Sequence, residues 1–110
     1  MSSVLVSPQG YYEYEAAHGT VQKHYYDHLA GKPTSTNSVA IIFAWAGALA
    51  KRGEIDGIVE LAEFGHRLER ACIGTIEDGV MTGDLYGLST LAGKRRVGTE
   101  EFILEVAARI

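Results

Sequence analysis

The stretch from Ser38 to Arg52 limits the fold more than any other part of the chain. Val39, Ile41, Ile42, Phe43, Trp45 and Leu49 leave a helix with apolar side chains nearly all the way round. A helix of that kind has no face suited to water and is expected to be buried. Little upstream can bury it. Val4-Leu5-Val6 is a short run of strand character, and Tyr12-Glu13-Tyr14-Glu15-Ala16 alternates as a second strand. Ser7-Pro8-Gln9-Gly10 between them is turn chemistry. An isolated two-stranded hairpin is marginal in water and cannot enclose such a helix. The chain is therefore expected to be an α/β piece of a larger sheet flanked by helices. Its open strand edges should drive association, by dimerisation or domain swapping.

The remaining segments read as helices. Gln22 to Leu29 predicts a short helical turn, broken by Gly31-Lys32-Pro33. Asn37 is placed to cap the apolar helix, its side chain accepting a backbone N–H of the first turn. Gly53 is expected to end that helix, with Lys51 and Arg52 in its last turn. A second helix spans about Asp56 to Asp78, with Ile58, Leu61, Ala62, Leu68, Ala71, Cys72, Thr75 and Ile76 on one stripe. Thr82 can cap a short helix near Asp84 to Leu88. Thr99 is expected to cap a last one, with Phe102, Ile103, Val106 and Ile110 facing the core. Tyr11, Tyr12, Tyr14, Tyr25 and Tyr26 read as an aromatic cluster beside the sheet.

At 110 residues the chain holds one domain, not two. Cys72 is the only cysteine, which rules out an internal disulfide and a cysteine-based zinc site. On a helical apolar face it reads as a buried structural thiol. A net charge of -4 argues against a nucleic-acid binder. The dense basic run Lys94-Arg95-Arg96 reads as a solvated loop, with an anionic partner as the sharper alternative. No apolar run approaches the roughly 20 residues that span a bilayer. The first residues lack the pattern of a signal peptide, so a cytoplasmic location is expected.

Chemistry concentrates in Glu15-Ala16-Ala17-His18-Gly19-Thr20-Val21-Gln22-Lys23-His24, where a strand runs into a His-Gly-Thr turn and then a basic pair. Such a turn offers free backbone N–H groups, and its glycine lets a ligand approach closely; both suit a phosphorylated ligand. A dianion needs fixed charge and directional donors; Lys23 supplies the first and His24 adds the second. Farther along, Thr34-Ser35-Thr36-Asn37 leads into the apolar helix at Ile42-Phe43-Ala44-Trp45. His24 and His28 lie four apart and could share a helical face toward a metal, but no third ligand is evident. His66 reads as a surface residue.

These two segments, in this order, resemble the C-terminal part of the homodimeric NADP-dependent isocitrate dehydrogenases. That family reads Glu-Ala-Ala-His-Gly-Thr-Val-Thr-Arg-His, then Thr-Ser-Thr-Asn-Pro, then Ile-Phe-Ala-Trp. The likeness continues through Glu77-Asp78-Gly79 and Met81-Thr82-Gly83-Asp84-Leu85. It covers almost all of this chain but about the last quarter of the family's. The fold it implies is the C-terminal part of the isocitrate/isopropylmalate dehydrogenase-like large domain, a short β-hairpin followed by about four helices. Residues 1–110 would form a single partial domain. The 3-isopropylmalate dehydrogenases are a weaker match, since they generally lack the Val-Thr-Arg-His and Phe-Ala-Trp signatures.

The resemblance implies NADP as cofactor, bound at its adenosine end. Gly19, Thr20 and Val21 would line the ribose and phosphates with backbone atoms. Lys23 and His24 would face the 2′-phosphate, and Asn37 with Thr36 would contact the adenine. His18 and Gln22 belong to the same wall, with Glu15 and Asp84 as further candidates. Three residues depart from the pattern: Lys23 stands for arginine, Gln22 for threonine and Ser38 for proline. Lysine lacks arginine's planar fork, so the phosphate contact is expected to be less specific. The Mg2+ or Mn2+ of the complete enzyme, the isocitrate-binding arginines and the acid/base pair are expected upstream of these residues. No catalytic residue and no metal ligand is assigned here. The missing N-terminal part of the enzyme, or a second copy of the chain in a homo-oligomer, is the expected partner. Two other readings are a stand-alone nucleotide-binding module and a helical assembly protein without nucleotide affinity.

Overall fold

The computed structural model describes residues 2–16, 22–32 and 35–110. Strands β1 (Ser2–Val6) and β2 (Tyr12–Ala16) form an antiparallel hairpin, with Val4 opposite Tyr14 and Val6 opposite Tyr12. Ser7 closes its connector twice. Its N–H donates to the Tyr11 carbonyl at 2.9 Å, and its hydroxyl accepts the Tyr11 N–H at 3.0 Å. Helix α1 (Gln22–Leu29) follows and buries none of its residues. Helices α2 (Val39–Asp56) and α3 (Val59–Glu77) then pack as a long antiparallel pair.

Gly53 does not end α2. It lies buried inside the helix, at the point where α3 crosses it. A β-carbon there would stand 2.4 Å from the Ala62 backbone nitrogen. One on Gly65 would stand 2.6 Å from the Ala46 carbonyl oxygen and 2.7 Å from the Ala50 nitrogen. The two backbones thus approach through a seam of glycine and alanine. The stop comes at Gly57, left-handed at φ 69°, whose N–H reaches the Glu54 carbonyl while Ile58 N–H reaches that of Gly53. This is the paired closure typical of a glycine-terminated helix. The sequence signal at Gly53 was real but reported close packing, not a boundary.

Beyond α3 the chain forms a feature that periodicity does not reveal. Strand β3 (Val80–Met81) pairs in parallel with β4 (Arg95–Arg96) across α4 (Gly83–Leu88), and α5 (Thr99–Ala107) follows. Two residues per strand are too few to show alternation. The described residues therefore hold five helices, each in a segment read as helical, and two small sheets, one strand pair more than expected. The core gathers at this end of the molecule. Ala71 and Cys72 of α3, Val80, Val97, and Phe102 and Val106 of α5 are buried together, flanked by Val39, Ile42, Phe43, Leu68 and Ile76. Burial pushes the Cys72 thiol up to about 11, with the Glu69 charge adding to it. This is the structural thiol that the sequence indicated.

Several other expectations are corrected. Ile103 and Ile110 are exposed, so only Phe102 and Val106 of the expected α5 face are buried. Gly98, not Thr99, occupies the N-cap of α5. The tyrosines do not form one buried cluster: Tyr11, Tyr12, Tyr25 and Tyr26 are exposed, and Tyr14 packs on Gly47. Arg95 and Arg96 are solvent-facing as expected, but they form a strand and not a loop. Lys94 Nζ donates to the carbonyls of Tyr86 and Ser89 at 2.9 and 2.8 Å, closing the end of α4. Arg95 holds Glu101 and Glu105, and Glu105 also holds Arg109, which reaches Asp78. The apolar helix α2 is not enclosed either. Ile41 is 41% exposed and Trp45 63%. The radius of gyration is 15.7 Å, against about 13 Å for a self-contained domain of this length.

Candidate functional site

The residues singled out from sequence fall into three groups. His18, Gly19, Thr20 and Val21 lie outside the described residues, and so does the spacing between Gly19 and Asn37. Gln22, Lys23 and His24 form the first turn of α1. Thr36 and Asn37 belong to an extended segment that enters α2.

That segment is fastened along its length. Ser35 Oγ donates to the Val97 carbonyl at 2.9 Å and accepts the Gly83 N–H at 3.1 Å. The Thr36 N–H donates to Thr99 Oγ1 at 2.7 Å, and the two threonine hydroxyls lie 2.9 Å apart. Asn37 is gripped from both ends of its amide. Its Oδ1 accepts the Val39 N–H at 2.9 Å, and its Nδ2 donates to Asp84 Oδ2 at 2.8 Å. The first contact is the bond expected of Asn37, but Ser38 and not Asn37 occupies the N-cap of α2. Asp84 is steadied in turn by Thr82, whose hydroxyl donates to Oδ1 at 2.7 Å. Thr82 stands at the N-cap of α4, but its hydroxyl serves Asp84 and makes no capping bond.

The electrostatics of the two described groups differ. Burial pushes the Asp84 carboxyl up and is the largest single influence. The Thr82 hydroxyl, the Asn37 amide and the backbone N–H groups of Leu85 and Asp84 together outweigh it and hold Asp84 below its ordinary value. Asp84 is therefore a fixed anion beside Asn37. The first turn of α1 carries no acidic residue. It combines Lys23 with the partial positive charge of a helix N-terminus.

An asparagine amide has four hydrogen-bonding positions, and Asn37 uses two of them among the described residues. The remaining N–H and lone pair are held in a fixed orientation, as suits a planar polar ligand edge. Ser35, Thr99 and Arg96 belong to this neighbourhood but were not read from sequence. Thr99 lies 63 residues from Thr36, so no local pattern could reveal the pairing. Ser38, standing where the resembled pattern has proline, is buried with its hydroxyl unpaired among the described residues. Among those residues no three His, Cys, Asp or Glu side chains gather as a metal site. No helix of the described residues is long and apolar enough to cross a membrane.

A separate groove of about 360 Å³ runs between β2 and α2, lined by Tyr12, Tyr14, Ile41 and Trp45 among others. Another, bounded by His28, Gly98, Thr99 and Glu101, lies between α1 and the start of α5. Neither is lined by Lys23, His24, Thr36 or Asn37.

Comparison with known proteins agrees with the motif order. The chain is 49% identical to a cytosolic isocitrate dehydrogenase [NADP] of Arabidopsis thaliana, over 100% of its own length and 28% of the relative's. It is 47% identical to a cytoplasmic isocitrate dehydrogenase [NADP] of Saccharomyces cerevisiae, over 100% of the chain and 27% of the relative. With a mitochondrial isocitrate dehydrogenase [NADP] of Sus scrofa it shares 53% identity over 79% of the chain and 21% of the relative. The chain thus spans about a quarter of the length of these relatives, whose names divide between cytosolic and mitochondrial forms. The sequence profile of the isocitrate/isopropylmalate dehydrogenases matches residues 1–106, and the chain belongs to that α/β family.

Proposed function

We propose that this chain forms the adenosine and 2′-phosphate side of the NADP site of an isocitrate dehydrogenase. The observation that carries the reading is the double grip on Asn37, which fixes its amide between the first turn of α2 and Asp84. A ligand edge meeting that amide finds it already oriented, so little ordering cost remains on binding.

The charges divide the site. Asp84 repels a phosphate but can accept from an adenine amino group or a ribose hydroxyl. The phosphate therefore belongs on the side of α1, where Lys23 and His24 stand in a first turn without acids. Gln22 and Lys23, which depart from the pattern, act on that side, and NADP-over-NAD preference depends on them. NADP, when bound, would accept the hydride from isocitrate before CO2 is lost. The residues here bind and orient its adenosine end. The described residues gather no donor set for Mg2+ or Mn2+, so no step through a metal is derived from them. Isocitrate binding and proton transfer are assigned to the rest of the enzyme, and the chain alone is expected to be inactive. The exposed Ile41 and Trp45 favour association with that remainder or with a second copy.

Calorimetric titration of the chain with NADP and NAD tests the proposal. Saturable binding that favours NADP is expected, with the preference lost in Lys23→Ala. Isocitrate and Mn2+ added to the purified chain should give no NADPH. Equal affinity for the two dinucleotides, or none for either, would overturn the cofactor assignment.

A further inference from the structure

Arg96 packs against Gly83, the residue before Asp84. Arg96 is the second residue of β4, opposite Met81, and is exposed. Arg95 next to it is held by two glutamates, whereas Arg96 makes no ion pair among the described residues. Its guanidinium lies against Gly83. A β-carbon built there would stand 2.8 Å from Nη2 and 3.0 Å from both Cζ and Nε. Near-equal distances to three atoms of one plane mean that the plane faces Gly83. Any side chain at position 83 would displace it. Gly83 precedes Asp84, the residue that grips Asn37, and its own N–H is bonded to Ser35. The guanidinium is thus laid flat at the edge of the Asn37–Asp84 pair.

The C-terminal end of α1 lies near the start of α5. His28 borders a groove with Gly98 and Thr99, and Gly98 is two residues from Arg96. His24 lies one turn before His28 on the same helical face.

We infer that Arg96 is a specificity-determining residue for the 2′-phosphate of NADP, supplying from the α4 side the planar fork that Lys23 lacks. This rests on the NADP reading of the site. Packing against Gly83 holds the fork in place beforehand, so binding a phosphate costs it little side-chain freedom. Asp84, held as an anion by Asn37 and Thr82, weakens the local positive charge, which makes a second cation beside Lys23 the more necessary.

The test is a titration of the full chain with NADP and with NAD, following the Nε–H resonance of Arg96 in arginine-labelled protein. The resonance should shift with NADP and stay in place with NAD. Arg96→Ala should lower NADP affinity about tenfold, as for the loss of one charge-assisted contact, and leave NAD affinity unchanged. Arg96→Lys should restore part of the loss. Gly83→Ala keeps the charge but pushes the fork aside, and should weaken the preference by a smaller factor; it carries the test if Arg96→Ala does not fold. An undiminished NADP-over-NAD preference in Arg96→Ala and Gly83→Ala overturns the role of Arg96 and leaves the NADP reading standing. A parent chain without any preference overturns both.

Discussion

The two ends of this molecule are built differently. At one end, α3, β3, β4 and α5 close around Phe102, which is 0% exposed, and tie the segment 35–37 down with side-chain hydrogen bonds. At the other, the β-hairpin lies on α2 with Val4, Leu5, Val6, Tyr12 and Trp45 facing outward. The hydrophobic effect scales with the area removed from water. The first end accordingly holds itself together, while the second presents apolar surface suited to a partner. The Asn37–Asp84 grip sits at the self-sufficient end, where the described residues alone hold its geometry.

The sharpest way to break this contrast is to truncate one aromatic from each end. Phe102→Ala should cost about 3–5 kcal/mol in urea unfolding. Trp45→Ala should cost under about 1 kcal/mol in the isolated chain, since its ring is largely in water already. Comparable losses would show that the hairpin end is packed as tightly as the core. Gly53→Ala tests the seam that joins the ends. Its methyl would meet the Ala62 backbone, which cannot swing aside, and a loss of about 1–3 kcal/mol is expected.

Thr99→Val probes the fastening of the site with little change of shape. It leaves the Thr36 N–H without its acceptor and should cost about 1–3 kcal/mol. Hydrogen exchange at Thr36 should quicken while exchange within the α2–α3 pair stays slow. Ser38→Ala should move stability the other way, by about 1 kcal/mol, because it removes a buried hydroxyl that has no partner among the described residues. The smallest effect is that of pH on Asp84. Its folded carboxyl sits below the unfolded value of about 3.9, so its contribution is present above that pH and is lost as pH falls through the folded value. Asp84→Asn should flatten the acid limb of the stability curve below about pH 4, as followed by thermal melts.

How much of this was legible depended on whether the signal was local. The hairpin and α1 were readable because alternation, turn residues and breakers lie within each segment. Cys72 was readable from its place on a helical stripe. Asn37 announced its bond to the first turn of α2 because such a bond acts on the next residues of the chain. Gly53 misled because a helix stop and a close helix crossing both call for a residue without a side chain; only Gly57, four positions on, has the left-handed backbone that marks the stop. The β3–β4 pair and the Thr36–Thr99 contact were hidden by sequence separation. Trp45 and Ile41 obey the rule that an apolar helix seeks burial, but their cover is not supplied by the described residues. Among the residues singled out for the cofactor, motif order gave identity while tertiary structure gave orientation. Arg96 stood out only as part of the basic run Lys94-Arg95-Arg96; its contact with Gly83 came from tertiary structure.

The central claim is that the Asn37–Asp84 pair and the first turn of α1 form one wall of an NADP site. The most direct measurement is an amide chemical-shift titration of the isotope-labelled chain with NADP, repeated with NAD. The account predicts the largest shifts at Lys23, His24, Thr36, Asn37 and Asp84, with those of Lys23 and His24 much reduced for NAD. Shifts confined to the Tyr12–Trp45 groove, or identical maps for the two dinucleotides, would contradict it.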